Sequence, residues 1–243
     1  MRTAAILMIS APLSACNGAG DRHEANRKAV IRTYALAGFE AVALKGSDDV
    51  RVISGPAFAI SATGAQAEID DLEIKTENGT LVIAHKNRDG GDWLLSFGNR
   101  HDKGVVVTVT MPLIRSASLA GSGDLSVDTT AEDKFEGSLG GSGDFVVTNF
   151  RAAKGMFSVA GSGDLKVTGT AKDATFTLAG SGDTDASGLA SETLNVSLAG
   201  SGNVSAKASG HADVSLVGSG DVRISGTKDC KISKMGSGEV TCG

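Results

Sequence analysis

Aromatic residues are scarce in this chain, with eight Phe, one Trp and one Tyr in 243 residues. A core of large aromatic plates is thereby excluded, and the interior must be filled by Val, Leu, Ile, Ala and the few Phe. There are only four histidines, at positions 23, 85, 101 and 211, and none stands at metal-ligand spacing from another. Basic residues are outnumbered, 23 Lys and Arg against 28 Asp and Glu. With a net charge of -5 and no basic stripe to neutralise phosphates, nucleic acid is not an expected partner. No phosphate loop of the Gly-Lys-Ser/Thr kind is present, and no Gly-x-Ser-x-Gly elbow leads into a helix with a histidine partner. Cofactors and bound metals are therefore not expected.

Glycine, by contrast, is abundant at 33 residues, and much of it is repeated in one pattern. Gly-Ser-Gly followed by an acid or its amide begins at Gly121, Gly141, Gly161, Gly180, Gly200, Gly218 and Gly236, at spacings of 20, 20, 19, 20, 18 and 18 residues. Apolar residues alternate on both sides of each copy, as in Val214-Ser-Leu216 before and Val222-Arg-Ile224 after. Period two predicts strands with one buried face. A unit of about 20 residues cannot bury that face alone, so the units must stack. The expected fold is all-β, a single-stranded parallel β-helix or β-solenoid of about ten rungs, right-handed by the usual rule for parallel crossovers. Glycine suits a corner where φ is positive and backbones approach closely.

Residues 1–15 have a short basic start, an apolar run and small residues, the layout of an export signal and too short for a membrane span. Leu13-Ser14-Ala15-Cys16 matches the bacterial lipobox. Cleavage there makes Cys16 the lipidation site and removes one Arg and no acid, so the charge moves from -5 to -6. Asn17 in place of Asp favours the outer membrane. Residues 16–29 read as a lipidated cysteine and a flexible polar tether, and residues 30–243 as the solenoid, with the Gly-Ser-Gly-Asp repeats over 116–243.

Cys230 and Cys242 flank the last corner, six residues on either side of Gly236. Counting by twos puts Cys230 in register with Ala212 and Cys242 with Ile224, both inward. A disulfide across the last rung is expected in an exported chain, the alternative being two buried thiols. Lys234 falls in the column of Leu216 and Leu198, a place for a charge only at an exposed rung.

Before the repeats, strands are expected over 30–36, 41–44, 50–53, 58–61, 72–75, 81–84 and 105–111, with no helical period. Gly46-Ser47-Asp48 resembles a worn corner. The segment Asn87 to Gly104 interrupts this pattern and holds Trp93 and Phe97. It reads as a lid over the tube or as a candidate binding loop.

The acids of the corners, Asp124, Asp144, Asp164, Asp183, Asn203, Asp221 and Glu239, form a column. Neighbouring carboxylates repel by about 1 kcal/mol in water, so each needs a compensating role. Either each accepts backbone N–H groups of its own corner, which Asn also does, or the column is a cation ladder. The first reading is favoured, because calcium-binding repeats place their acids every nine residues rather than every 18 to 20.

Taken together, Gly38-Phe39-Glu-Ala-Val42-Ala-Leu44-Lys-Gly46-Ser-Asp-Asp-Val50-Arg-Val52, Asn78-Gly79-Thr-Leu81-Val-Ile83, Val107-Thr-Val109-Thr-Met-Pro112 and the Leu-Ala-Gly-Ser-Gly-Asp corners resemble the putative auto-transporter adhesin, head GIN domain family, over residues 30–243. The resemblance implies a parallel β-helix, frequent on exported lipoproteins, with a role in adhesion and no catalytic residues to carry over. The expected function is a non-catalytic envelope lipoprotein that binds a surface polysaccharide or another cell-surface ligand. The alternatives are a scaffold that self-associates or pairs with an envelope partner and, with less support, a polysaccharide-acting enzyme with acids converging near Trp93.

Overall fold

The computed structural model describes residues 29–86, 104–128 and 133–243. The repeat region forms the coil expected from its alternation. Strands β8 (Ser116–Gly121), β10 (Lys134–Gly141), β11 (Phe145–Gly161), β12 (Leu165–Gly180), β13 (Thr184–Gly200), β14 (Val204–Gly218) and β16 (Asp229–Gly236) each end at the first glycine of a corner. After the corner the chain resumes as β9 (Leu125–Asp128), the first halves of β11 to β14, β15 (Val222–Ser225) or β17 (Val240–Cys242). All neighbours in this region pair in parallel, corner on corner: Gly121↔Gly141↔Gly161↔Gly180↔Gly200↔Gly218↔Gly236. Seven corners bound about six turns of regular coil, and two further rungs lie before them, close to the ten rungs expected over residues 30–243.

The irregular part lies before residue 116. Strands β2 (Ala41–Gly46) and β3 (Asp49–Ser54) form a rung around the worn corner, and β6 (Thr80–His85) and β7 (Val106–Met111) form another. β2 pairs with both β6 and β8, and β3 with both β7 and β9. The rung that comes first in sequence is thus intercalated between two later ones. Beyond β6 and β7 the pairing turns antiparallel: β5 (Leu72–Glu77) lies on β6, β4 (Ala59–Ala65) on β7, and β1 (Ala29–Tyr34) on β4. These strands and helix α1 (Gln66–Asp71) cap the coil. The helix is too short to print a 3.6-residue period and buries only Ile69. Its last carbonyls are taken by cations, Arg32 donating to Ile69 O (2.9 Å) and Lys86 Nζ to Asp70 O (2.7 Å).

Inside the tube, inward columns of Val, Leu and Ala stack rung on rung, as in Val159-Leu178-Leu198-Leu216. The few phenylalanines are concentrated here. Phe135, Phe150, Phe157 and Phe176 lie buried with ring centroids 5.2–5.9 Å apart, and Gly137 and Gly155 make room for them. Below roughly 7 Å such rings gain beyond their area burial.

Candidate functional site

The corner is built from backbone before side chains. Each first glycine has positive φ, +146° at Gly121 for example, and from Gly121 to Gly200 its carbonyl accepts the serine N–H of the next rung, as in Ser142 N to Gly121 O (3.0 Å). The second glycine is buried, and a β-carbon on Gly123 would run into the carbonyl oxygen of Asp48 in the neighbouring rung. The serine and acid side chains point outward.

Five of the seven corner residues accept a backbone N–H, but from the next rung rather than from their own corner. Asp124 Oδ1 accepts from Asp144 N (3.2 Å), Asp164 from Asp183 N (2.8 Å), Asp183 from Asn203 N (2.8 Å), Asn203 from Asp221 N (3.1 Å) and Asp221 from Glu239 N (3.0 Å). The column is a relay of caps linking rungs. Among the described residues, no group of three or more His, Cys, Asp or Glu side chains is placed to hold a metal ion.

At the intercalated rung the relay changes. Asp48 occupies the place of the buried second glycine and is itself buried, at 2% exposure. Its Oδ1 accepts Val105 N–H at 3.1 Å, and its Oδ2 lies 2.7 Å from His85 Nε2 without forming an aligned hydrogen bond. Asp48 therefore ties together His85, the last residue of β6, and Val105, just before β7. Sequence reasoning noticed the worn corner but not this role. The signal was an acid where the repeat requires glycine, combined with a histidine beside the interruption.

At the last rung Cys230 and Cys242 are bonded, with Cα atoms 6.6 Å apart, in register with Ala212 and Ile224. Lys234, level with Leu216, donates from Nζ to Gly238 O (3.0 Å). His211 on β14 reaches Asp229 on β16 (Nδ1–Oδ2 3.1 Å) and Asp213 (3.4 Å). The hydrogen bond to Asp229 holds its pKa above the usual histidine value, against some desolvation. Cys16, Trp93 and Phe97 lie outside the described residues.

The outward face of β8, β10 and the second halves of β11 to β14 with β16 carries three parallel columns. One is hydroxyl throughout: Ser118, Ser138, Ser158, Thr177, Ser197, Ser215 and Ser233. On one side runs a small apolar column from Ala120 through Ala160 and Ala199 to Met235. On the other is a largely polar column, Ser116, Glu136, Thr175, Asn195, Asp213 and Lys231, interrupted by Met156 between Glu136 and Thr175. Rungs roughly 4.8 Å apart repeat these columns as a regular lattice, with hydroxyl and polar groups beside a small apolar strip.

The family profile described as "putative auto-transporter adhesin, head GIN domain" matches residues 38–228. A solved structure of a putative adhesin from Bacteroides fragilis is similar at a TM-score of 0.79 and 20% identity, covering 88% of this chain and 97% of that one. A putative adhesin from Parabacteroides distasonis is similar at 0.69 and 20%, covering 90% and 98%. A protein from the same species titled putative lipid binding protein is similar at 0.67 and 24%, covering 88% and 96%. These likenesses establish a shared fold. No curated protein matches the chain.

Proposed function

The chain belongs to the putative auto-transporter adhesin, head GIN domain family, and from that premise we propose that it is a non-catalytic adhesion module of the cell envelope that grips an extended surface polymer along its lattice face. The carrying observation is the seven-rung hydroxyl column between a small apolar and a polar column. Equivalent rungs offer the same weak contact again and again, and contacts repeated on one rigid body add through effective concentration. In this reading Cys16 is lipidated and holds the domain at the outer membrane by a tether, and the Cys230–Cys242 bond closes the far rung. A scaffold that pairs with itself is the second reading, favoured by Val217 and Met235, adjacent on the lattice face and 50% and 72% exposed.

The test is binding of the chain carrying Cys16→Ser to arrays of glycans and cell-surface polymers and to phospholipid vesicles. Thr177→Lys with Ser197→Lys, which roughens the lattice, is expected to weaken polymer binding by about tenfold or more, and calcium chelation is expected to leave it unchanged. Vesicle binding without polymer binding would count against the proposal. Concentration-dependent sedimentation without any ligand would favour the scaffold.

A further inference from the structure

Across the tube from the glycine corners, where β6, β2 and β8 begin, a depression of about 450 Å³ is lined by Phe39, Glu40, Phe58, Asn78, Thr80 and Arg115, among others. Its volume falls within the range of roughly 300–1,000 Å³ usual for ligand clefts. Ala41 and Thr80 are in register with Ser116, Glu136 and the rest of the polar column, so the depression stands at the head of the lattice face.

Its floor is aromatic. Phe58 is half-buried against the buried Phe39, ring centroids 4.8 Å apart and tilted by 56°. Among the described residues this is the only Phe–Phe contact apart from those of Phe135, Phe150, Phe157 and Phe176. The rim is polar: Arg115 Nε donates to Glu40 Oε2 at 2.5 Å with both side chains 57% exposed. Asn78 at the tip of the β5–β6 turn and Thr80 complete it. Arg115 and Glu40 are the charged residues of the lining and cancel one another, so a charged ligand gains nothing net.

An apolar platform under a ring of hydroxyl, amide, guanidinium and carboxylate groups suits a ligand with an apolar C–H face and hydroxyl edges. We propose that this depression is a subsite for a neutral sugar residue, seating one unit of the polymer at the head of the lattice. The inference rests on the adhesion reading and adds the chemical class and the place.

The test uses the full chain carrying Cys16→Ser, with neutral glucan and galactomannan oligosaccharides and a uronic-acid oligosaccharide as probes. Phe58→Ala is expected to weaken neutral-oligosaccharide binding by about tenfold. Glu40→Gln, which leaves the aromatic packing intact, is expected to weaken it by about fivefold, so the proposal does not depend on Phe58→Ala folding. Loss of neutral-oligosaccharide binding in these variants, with the uronate bound more weakly than the neutral probes by the chain that keeps Glu40, supports the subsite. Full binding by both variants, with loss only when Thr177 and Ser197 become Lys, overturns the subsite and leaves the adhesion reading standing. Neutral oligosaccharide held at Phe58 with no polymer bound supports the subsite and overturns the adhesion reading. Failure of the unmutated face and depression to bind any probe overturns both.

Discussion

At Gly163 a β-carbon would meet the carbonyl oxygen of Gly143 one rung away. Backbone cannot step aside as a flexible side chain can, so Gly163→Ala is expected to lower stability by about 2 kcal/mol or more, read as a fall in Tm. Asp183 is different, because what matters is an acceptor oxygen for Asn203 N–H. Asp183→Ala should cost about 1 kcal/mol, while Asp183→Asn should melt close to the parent, as Asn203 already caps Asp221. The acid column and its capping chemistry were legible in the sequence. Which N–H each acid reaches was not, because the offset between a side chain and the next rung depends on stacking that no single repeat records. Asp48 was half legible, as an acid in a glycine's place. The meeting of Phe58 with Arg115 was not, since 57 residues and an intercalated rung separate them.

Of the contacts that hold the last rung, one is tuned by pH and one is covalent. His211 binds a proton more tightly in the folded chain because of Asp229. The His211–Asp229 bridge therefore contributes fully below the ordinary histidine value of about 6.5 and is lost as pH rises through the raised one. Amide exchange in β16 should accordingly be slower at pH 6 than at pH 8, after correction for intrinsic rates, and His211→Ala should erase the difference. The other contact is covalent: reducing Cys230–Cys242, which span 12 residues, should remove about 3 kcal/mol in the chain-entropy picture and open β16 and β17 to protease before the rest of the coil. At this scale the parallel rungs of 116–243 could be read from period two and the repeated corners. The antiparallel cap could not, because an alternating strand looks the same whichever way its neighbour runs. Helix α1 left no signal because six residues do not complete two turns.

The whole molecule behaves as a stack whose regular units are interchangeable and whose first rung is not. Deleting residues 161–179 joins Ala160 to Gly180 and leaves Val159-Ala160-Gly180-Ser181-Gly182 as one unbroken corner in register, so the shortened chain should fold, with strand-type circular dichroism and a Tm a few degrees lower. Deleting residues 41–54 removes the rung that joins cap to coil, and no cooperative melting transition should remain. The difference also has a history in time. Rungs of the regular coil pair residues 18 to 20 apart, whereas Gly46 meets Gly121, a separation of 75 (121 − 46). A chain growing from its N-terminus makes Ala41–Ser54 early, yet one of its neighbours is complete only at Met111 and the other only at Asp128. The keystone is cut first and set late, so the clock of folding runs on one long-range insertion rather than on the number of turns.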